Sequence, residues 1–459
     1  MKIDLKQKEK IIALYIFIVG ILISVAVPVW QTPDEYTHLR MIGASLGRED
    51  FAENIYESIG IPHGRIEHNY DEKVDLGEYK NMLFRKPDYK RMDMLPHMIY
   101  PSVIKHFPAV IGILLGVLLG VPSYFALQLG ELCCLLFYTI ICYYSLKIMP
   151  LKKEVMAVIM LFPMSVHQAG SIGYDSVLLP LCFFLTAFVF YLKYEKDVVG
   201  LKDIAVLFST WLIITYIKVP YVFLILLMLI IPLEKIDINL GFIRINENCI
   251  KKIRVPAGCI ILILGLVMAY LFRGNTHIQN VYGFIVEWRR GLYLLGETGR
   301  TWTEFLMIST VGNLGWLDSP MSFSSVLLVY VCLFIFALKR DDVDKHRKLK
   351  KWDVFILLGT MLLLCIFVTL SMVNHTIMVT LFGSEYVEGT YEIREAMYQI
   401  PYIGGVQGRY YLPFISLLFL AVPQKLYAGE KVVRTAFVIL EAGIYIYIMC
   451  LLIQRYWIL

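Results

Sequence analysis

The chain has 459 residues, of which 58% are hydrophobic and only 18% are charged, with a formal net charge of +5. Soluble domains usually carry about 25% charged residues, so this composition excludes an ordinary soluble enzyme and a nucleic-acid-binding protein. Residues 11–30 contain no charged side chain, and about 20 such residues cross a ~30 Å hydrocarbon core as a helix. We therefore predict an all-α polytopic membrane protein, because a barrel would show alternating strands of about 10 residues.

Apolar segments along the chain predict about 11 transmembrane helices, with a range of 10–13. The predicted spans are residues 11–30, 126–146, 155–173, 176–192, 204–217, 219–233, 255–272, 319–338, 354–373, 410–424 and 435–453. Lysines precede the first span, and cytoplasmic loops carry an excess of Lys and Arg, so we place the N-terminus in the cytoplasm. The connections that should then be cytoplasmic are all basic: 147–154, 193–203, 234–254, 339–353 and 425–434.

Two segments have an ambiguous pattern. Residues 204–233 are either one span with an internal lysine, Lys218, or two half-spans that turn at Lys218–Pro220. Two half-spans keep the flanking basic loops on one side, so we predict a broken or re-entrant hairpin. Residues 98–121 are apolar enough to span, but a span there would place the basic loop 339–353 outside. We predict an amphipathic or re-entrant helix at the outer interface instead.

The predicted topology gathers polar residues on the extracytoplasmic face. The first external loop, residues 31–125, is longer than ordinary connections, which is typical of a functional element. Its apolar content is too low for a domain of its own. We therefore expect a single transmembrane domain over residues 1–459, with the loop folded as short helices against the tops of the spans.

Two carboxylates, Asp34 and Glu35, lie at the membrane surface in the segment QTPDEYTH (31–38). His38 follows four residues after Asp34 and three after Glu35, so one helical turn brings the three side chains together. A partly desolvated carboxylate is suited to act as a general base, which makes these residues catalytic candidates. The same pattern also describes an ordinary helix start with acids placed favourably for the helix dipole.

Two further positions combine a charge with a helix boundary. Asp175, in SIGYDS (171–176), begins a predicted helix at the outer face, either as a substrate contact or as a helix N-cap. Lys218 lies between two apolar half-helices, where a lysine is costly. It either faces a cavity or an anion, or it extends its ammonium group to the membrane surface.

Two glycine-rich segments supply the remaining external candidates. In GNLGWLDSP (312–320), Trp316 is either a substrate contact or an interfacial anchor, and Asp318 lies beside it. In GGVQGRYYLP (404–413), Arg409 and the free backbone amides of a helix start suit a phosphate. Lipid headgroups are the alternative partner of Arg409.

The sequence gives no clear cofactor. No P-loop, GxGxxG, HExxH or CxxC motif occurs, and eight of the nine cysteines lie in apolar runs, so we expect no disulfides. The acidic first loop could hold a divalent cation, but no set of metal ligands can be recognised. We therefore leave the cofactor unknown and assign no metal ligand.

Six segments, taken in order, resemble the DUF2142 family of bacterial polytopic membrane proteins. They are PDEYTHL (33–39), LPHMIYPSVIKHFPAVIG (95–112), FPMSVHQAGSIGYDS (162–176), KVPY (218–221), NLGWLDSP (313–320) and GVQGRYYLPF (405–414). The family is grouped with GT-C glycosyltransferases. The resemblance therefore implies a GT-C-like fold and a glycosyltransferase activity.

The resemblance implies an enzyme that moves a sugar from a polyprenyl-phosphate-linked donor to a cell-envelope glycan or lipid acceptor. An acid of the first external loop acts as the base in such enzymes, and this role falls first on Asp34, with Glu35 and His38 tuning it. The expected substrate-binding residues are Lys218, Asp175, Trp316, Asp318, Gln407, Arg409, Tyr410 and His97. The implied location is the bacterial plasma membrane, with an extracytoplasmic active site and no nucleic-acid partner.

We expect the acids Asp34 and Glu35 and the cations Lys218 and Arg409 to line one pocket that opens away from the cytoplasm. The alternatives are a flippase or transporter of lipid-linked saccharides, or a polymerase of such saccharides. A transporter predicts polar residues at mid-membrane and pseudo-symmetric halves. The sequence shows few such residues and no repeat.

Overall fold

The computed structural model describes residues 8–28, 31–59, 76–85, 94–239, 244–252, 267, 270–271, 282–340, 348–383 and 393–458. The chain divides into two compact units. Unit 1 comprises Met1–Phe188, Ile308–Lys348 and Leu412–Leu459, and unit 2 comprises Val189–Met307 and Leu349–Tyr411.

The described secondary structure is mostly helical. In chain order the α-helices are α1 (Lys8–Ala26), α2 (Glu35–Ser45), α3 (Phe51–Ile59), α4 (Leu76–Phe84), α5 (Phe107–Leu119), α6 (Ser123–Ile148), α7 (Lys153–Met160), α8 (Pro163–Ala169), α9 (Asp175–Tyr194), α10 (Leu201–Ile217), α11 (Trp288–Val311), α12 (Phe323–Leu338), α13 (Lys351–Leu370), α14 (Val373–Phe382), α15 (Ile393–Ala396), α16 (Leu412–Ala421) and α17 (Glu430–Tyr456). The 3₁₀ helices are Pro101–Lys105, Val219–Ile230, Leu233–Lys235 and Gly408–Tyr411.

Short strands pair locally between the helices. They are β1 (Asp237–Asn239), β2 (Arg244–Asn246), β3 (Asn313–Leu314), β4 (Ser319–Pro320), β5 (Lys339–Arg340) and β6 (Leu426–Tyr427). The β1–β2 and β3–β4 pairs are antiparallel, whereas the β5–β6 pair is parallel. The β1–β2 and β3–β4 pairs close turns, whereas the β5–β6 pair joins two connections that lie far apart in the chain. No larger sheet forms within the described residues.

Among the described residues, five helices are long and apolar enough to cross a membrane. They are Lys8–Ala26, Ser123–Ile148, Asp175–Tyr194, Lys351–Leu381 and Glu430–Tyr456. The stretch Lys351–Leu381 comprises α13 and most of α14, which follow each other almost without a gap. Shorter apolar helices of 10–17 residues are Phe107–Leu119, Val219–Ile230, Phe323–Leu338 and Gly408–Ala421. The prediction of a helical membrane protein is confirmed. The count of 11 spans and the GT-C-like fold stay predictions, and most of the predicted span 255–272 lies outside the described residues.

In unit 1, helices α6 and α17 each pack against α1, and the three helices give the unit two ends. At the Ala26 end, Trp457 Nε1 donates a hydrogen bond to the carbonyl of Ala26 at 2.8 Å. At the Lys8 end, Lys8 pairs with Glu430. Helix α6 runs antiparallel to α1, because Ser24, near the end of α1, bonds to Glu131, near the start of α6.

The basic connections of unit 1 lie together at the Lys8 end. Lys153 pairs with Glu9 at 2.6 Å, and Lys339 pairs with Glu154 at 2.7 Å. Three connections that the charge pattern places on one face therefore lie together near the start of α1. They are 147–154, 339–353 and 425–434. Which face of the membrane they occupy stays a prediction.

The first loop folds as short helices, as predicted. Apolar side chains of α2, α3, α5 and α6 form its core, including Leu39, Ile55, Ile113 and Leu127. The predicted helix over 98–121 is a 3₁₀ turn followed by α5, and α5 packs closely on α6. The close approach requires Gly112, because a Cβ there would lie 2.1 Å from the carbonyl oxygen of Leu129.

The predicted single span over 155–173 is wrong as a continuous helix. It forms α7 and α8, which break at Phe162-Pro163, because a residue before proline is disfavoured in the helical conformation and Phe162 has φ −55° and ψ 133°. Every residue of 155–173 is buried in the protein. Hydropathy alone does not separate such a protein-buried segment from a lipid-facing one.

In unit 2, the predicted break at Lys218 is confirmed. Helix α10 ends at Ile217, Lys218 is extended, and the Val219–Ile230 3₁₀ helix begins. A 3₁₀ helix has three residues per turn, so side chains three apart form one stripe. Its buried side chains follow this period: Tyr221, Leu224, Leu227 and Ile230. The 3₁₀ helix packs against α10 and α13.

Candidate functional site

Asp34 occupies the N-cap position of α2, shortly after α1 ends. Its backbone has φ 64° and ψ 9°, a left-handed conformation that few residues other than Gly, Asn and Asp adopt. The N–H of Gln31 donates to the carbonyl of Pro28 at 2.9 Å and closes the preceding turn. The side chain of Asp34 is exposed, so the turn presents an accessible carboxylate at the Ala26 end of unit 1.

The neighbouring Glu35 is buried instead. Glu35 is 2% exposed, and neither of its carboxylate oxygens has a hydrogen-bond partner among the described residues. Burial raises the pKa of Glu35 well above its usual range, and the nearby negative charge of Glu131 raises it further. The adjacent acids that look equivalent in the sequence therefore differ: Asp34 is exposed, whereas Glu35 is buried and its pKa is raised.

Glu131 of α6 is the second member of this buried acid pair. Its Oε2 accepts hydrogen bonds from Ser24 Oγ of α1 and from Gln128 Nε2, the latter at 2.9 Å. Tyr56 of α3 also lies near the pair: burial raises the pKa of its hydroxyl, and the charges of Glu35 and Glu131 add to this. The pair thus joins the start of α2 to the first and second long helices.

His38, one turn after Asp34, is hydrogen-bonded to a second histidine. His38 Nδ1 lies 3.0 Å from His106 Nε2, and both residues are buried. The ring of Tyr174 meets the His38 ring edge-on, with centroids 4.9 Å apart. Sequence reasoning missed His106 as a functional residue. Its only signal was its place in the second motif, because its partner lies 68 residues away.

Asp175 begins α9 in the same region of unit 1. Tyr174, which precedes it, contacts both histidines, and Gly173 lies against the Cδ2 and Nε2 edge of His38. The carbonyl of Gly173 accepts a hydrogen bond from Ser176 Oγ at 2.7 Å, which fixes the turn. The structure therefore brings the GYDS segment to the PDEYTH segment, as a shared site requires. Whether Asp175 contacts substrate stays a prediction.

Asp318 takes part in an ion pair with the last helix. Arg455 Nε donates to Asp318 Oδ2 at 2.9 Å, and both side chains are largely buried. The turn between β3 and β4 holds Gly315 at φ 63°, where a Cβ would lie 2.0 Å from the hydroxyl oxygen of Tyr456. The structure thus gives Asp318 a role in anchoring this turn to α17. Trp316 is half-buried in the same turn, and substrate contact by either residue stays a prediction.

His97 lies on the surface of the first loop. Its backbone N–H donates to the carbonyl of Leu46 at 3.0 Å, while its side chain is exposed. The backbone bond ties the segment before α5 to the end of α2. The structure places no candidate catalytic side chain against the imidazole of His97 within the described residues.

The predicted cations Lys218 and Arg409 meet at one aromatic ring in unit 2. Lys218 Nζ lies 3.6 Å from the centroid of the Tyr410 ring, and Arg409 Cζ lies 5.6 Å from it. The hydroxyl of Tyr221 donates to the carbonyl of Tyr410 at 2.8 Å. Arg409 is buried and Lys218 is half-buried. Sequence reasoning singled out both cations and Tyr410, but it missed Tyr221 as the residue that holds the two segments together.

The segment before Arg409 is fixed by side chains from two helices. Thr298 of α11 accepts the N–H of Ile403 at 2.9 Å, and Thr376 of α14 accepts the N–H of Gly404 at 2.9 Å. Arg290 donates to the carbonyls of Met397 and Ile400. Gln407, a predicted substrate contact, follows this anchored stretch, and its Oε1 is buried with no hydrogen-bond partner among the described residues.

The candidate residues therefore form two groups. Asp34, Glu35, His38 and Asp175 belong to unit 1, whereas Lys218 and Arg409 belong to unit 2. Their meeting in one pocket stays a prediction. No group of three or more His, Cys, Asp or Glu side chains in the described part of the chain is arranged to hold a metal ion.

Comparison with known proteins identifies the family. The sequence pattern of a family described as "Predicted membrane protein (DUF2142)" matches residues 17–418, which is most of the chain. The protein therefore belongs to this family. Comparisons with curated proteins and with solved structures give no match.

Proposed function

We propose that this member of the DUF2142 family is a membrane glycosyltransferase. It moves a sugar from a polyprenyl-phosphate-linked donor to a cell-envelope glycan acceptor on the extracytoplasmic face of the bacterial plasma membrane. The observation that carries the proposal is the accessible carboxylate of Asp34, held in a left-handed turn between the first membrane-spanning helix and α2. A base at this depth can reach an acceptor from the aqueous side and a donor anchored in lipid.

The acceptor chemistry is assigned to unit 1. Asp34 takes the proton of the acceptor hydroxyl, while burial raises the pKa of Glu35 and so favours its neutral form, which adds no second negative charge beside Asp34. Asp34 rather than Glu35 is assigned as the base, because an attacking hydroxyl must approach its base to within hydrogen-bond distance. The oxygens of Glu35 are shielded from solvent, which is unsuited to a bulky saccharide acceptor.

Recognition of the donor phosphate is assigned to unit 2. Lys218 and Arg409 place two positive charges at the Tyr410 ring, and Arg409 opens the segment that leads into α16. Positively charged side chains stabilise the negative charge of a phosphate best in a site that excludes water. The Val219–Ile230 helix follows directly after Lys218, and its exposed apolar side chains, among them Val219 and Leu229, supply a neighbouring hydrophobic surface for a lipid chain.

The reaction is a displacement at the anomeric carbon of the donor sugar. The acceptor oxygen forms a bond to this carbon, the bond from the carbon to the phosphate oxygen breaks, and the proton of the acceptor passes to Asp34. The leaving polyprenyl phosphate is already an anion, so no strong general acid is needed. Lys218 and Arg409 offset the charge that develops on it, and the configuration at the sugar inverts.

The proposal is tested in cells by comparing surface glycans. Asp34→Asn and Glu35→Gln, each at normal membrane abundance, are compared with Thr37→Ala, a matched control because Thr37 is exposed on the same turn of α2. We expect Asp34→Asn to abolish one glycan component, whereas Glu35→Gln, which keeps a neutral side chain of the same shape, and Thr37→Ala should leave it nearly unchanged. Unchanged glycan in the Asp34→Asn strain would remove the acid from catalysis.

A second candidate function is a flippase or transporter of lipid-linked saccharides. The observation that favours it is Glu441, which lies within α17, is buried, and has no hydrogen-bond partner for either carboxylate oxygen among the described residues. Ionisable side chains inside membrane-spanning helices often mark transport or proton pathways. Purified protein in vesicles that moves a lipid-linked saccharide between leaflets without cleaving it, and loses this in Glu441→Gln, would favour transport over transfer.

A further inference from the structure

Helix α11 of unit 2 is long enough to cross a membrane but too highly charged to do so. Its 24 residues extend about 36 Å at a rise of about 1.5 Å per residue. Five charged side chains are spread along it: Arg289, Arg290, Glu297, Arg300 and Glu304. A charged side chain at the centre of a bilayer is costly, so α11 does not run through the hydrocarbon core.

The inner face of α11 packs at one end of a candidate membrane span. Residues 282–286 form a helical turn that leads into α11, and Phe284 and Leu294 belong to one hydrophobic core. The same core contains Val373 and Ile377 of α14. The preceding α13 has 20 residues, which cover about 30 Å, the thickness of the hydrocarbon core. Helix α14 follows almost without a gap, so α11 lies near the level of the lipid headgroups.

The outer face of this segment is exposed and apolar. Ile285, Trp288 and Leu292 are each more than half exposed. They are three and four residues apart, so a helix brings them onto one face. The helical hydrogen bonding is continuous here, because the N–H of Gly291 donates to the carbonyl of Glu287 at 2.9 Å. The segment is therefore amphipathic, with one side packed on protein and an exposed apolar side.

The exposed side also carries a cation next to its tryptophan. The guanidinium carbon of Arg289 lies 5.4 Å from the centroid of the Trp288 ring, and Arg289 is exposed. The acid of this turn, Glu287, pairs with Arg394 at 3.1 Å, whose charge it offsets. Tryptophan is enriched at membrane–water interfaces, and arginine extends its charged end to the headgroup region. This face is therefore complementary to acyl chains that lie below phosphate groups.

We propose that residues 282–293 form an interfacial membrane anchor. Ile285, Trp288 and Leu292 insert among the acyl chains just below the headgroups, and Arg289 lies among the headgroup phosphates. The partner of this surface is the lipid bilayer that surrounds the protein. The anchor does not depend on the proposed function, because none of these residues belongs to the candidate site.

The anchor is joined to a segment that the candidate site uses. Arg290 donates to two carbonyls of residues 397–400, and Thr298 accepts the N–H of Ile403 at 2.9 Å. These bonds fix the segment that leads to Arg409. Membrane contact by α11 therefore also sets the depth of this segment in the bilayer.

Fluorescence quenching by brominated lipids tests the anchor. Full-length protein is placed in nanodiscs of plain lipid, of lipid brominated near the headgroup, or of lipid brominated near the ends of the acyl chains. The chain has seven tryptophans, so the emission of Trp288 is taken as the difference between the wild type and Trp288→Phe. We expect bromine near the headgroup to remove most of this emission, and bromine at the chain ends to remove clearly less.

Trp302→Phe is the matched control. Trp302 lies on the same helix but is half-buried beside Phe305 and Tyr402, so its emission should change little in either brominated disc. Equal Trp288 emission in all discs would overturn the proposal, because the face would then lie in water or be covered by a protein partner or a second copy. Stronger quenching by the deep bromine would also overturn it, because the segment would then lie in the hydrocarbon core.

A pair of variants links the quenching to the apolar face. Leu292→Asp places a charge among the acyl chains, and we expect it to remove most of the quenching of Trp288 by bromine near the headgroup. Thr301→Asp places the same charge at an exposed position farther along α11 and should leave the quenching unchanged. Both positions are exposed, so the Tm in detergent should stay at the wild-type value. Equal quenching in the two variants would overturn the insertion of this face into lipid.

Discussion

The ammonium group of Lys218 lies 3.6 Å from the centre of the Tyr410 ring, and the hydroxyl of Tyr221 holds the backbone of Tyr410 at 2.8 Å. A lysine between two apolar helices is costly unless a partner offsets its charge. Here the partner is the electron-rich face of an aromatic ring, which fixes the lysine without neutralising it. The ring contact and the Tyr221 hydrogen bond therefore hold the lysine beside the segment that carries Arg409.

The first prediction concerns this cation and ring. A hydrogen bond to a charged group contributes about 1.5–3 kcal/mol, and Lys218 is assigned to the charge that develops on the leaving phosphate, so Lys218→Met should lower kcat/KM for a polyprenyl-phosphate donor about 10- to 100-fold. Tyr410→Leu should have a similar effect, because the lysine then loses its fixed position. The double variant should be little worse than either single one, and this is checked by steady-state kinetics.

Lys202→Met is the control, because Lys202 is an exposed lysine near the start of α10. Additive effects of the Lys218 and Tyr410 variants would show that the two side chains act separately. A Lys218→Met variant that behaves like Lys202→Met would remove the lysine from donor binding.

The second prediction is a pH dependence of stability at Glu35. The pKa of Glu35 is raised in the folded protein, so its stabilising contribution is fully present below the pKa of an unfolded Glu, about 4.3, and is lost as the pH rises toward its folded pKa. Glu35→Gln stays neutral at every pH. Its Tm should therefore match the wild type near pH 4 and exceed it increasingly up to pH 8.

Thermal unfolding in detergent between pH 4 and pH 9 measures this difference. Glu57→Gln is the matched control, since Glu57 is exposed on α3 and surface changes are usually within about 0.5 kcal/mol. A Glu35→Gln protein that is less stable than the wild type at pH 8 would show that the carboxylate is ionised and stabilised in the fold.

The third prediction concerns Lys152 at the Lys8 end of unit 1. Its Nζ donates to the carbonyls of Phe419 and Leu420, each at 2.9 Å, at the end of α16, where helix carbonyls lack intrahelical partners. Burial lowers the pKa of Lys152 to about 7, but the neutral amine still donates hydrogen bonds. Lys152→Met should lower the free energy of unfolding by about 1–3 kcal/mol, because buried carbonyls lose their donor.

Lys153→Met is the neighbouring control. Lys153 pairs with Glu9 at 2.6 Å, but its side chain is 41% exposed, and such pairs contribute about 0.2–1 kcal/mol. Denaturant unfolding in mixed micelles compares the two variants. Equal losses would show that the carbonyl contacts of Lys152 do not set the stability of this end.

The fourth prediction tests Asp318 as an anchor of the β3–β4 turn. Breaking a buried ion pair by removing one partner costs about 3 kcal/mol, because the other charge stays buried. Asp318→Asn and Arg455→Gln should each destabilise the protein, and the double variant should cost clearly less than their sum. A double-mutant cycle on unfolding measures this, and additive losses would show that the two side chains do not interact.

Sequence reasoning succeeded where a local pattern carries the structure. The break at Lys218 follows from a charge and a proline inside an apolar run, and the start of α2 follows from Pro33-Asp34. It failed over 155–173, because apolar side chains buried by protein and apolar side chains facing lipid have the same hydropathy. The proline at 163 was the visible signal of the break that forms there.

The site was predicted only in part, for a related reason. The sequence identifies Asp34, Glu35 and His38 as one cluster, but it does not show which face of α2 packs against the protein. That packing buries Glu35 beside Glu131 and leaves Asp34 exposed. The bonds of His38 to His106 and of Tyr221 to Tyr410 join distant segments, so no spacing rule could reveal them.

The most direct test of the central claim is a transfer assay with purified protein in lipid nanodiscs and a panel of polyprenyl-phosphate-linked hexoses. The wild type should release the sugar from one donor in the presence of an acceptor, and Asp34→Asn should lower this rate about 10²- to 10⁴-fold, the range for loss of a general base. Thr37→Ala should retain the wild-type rate. An Asp34→Asn protein that transfers sugar as fast as the wild type would contradict the assignment of Asp34 as the base.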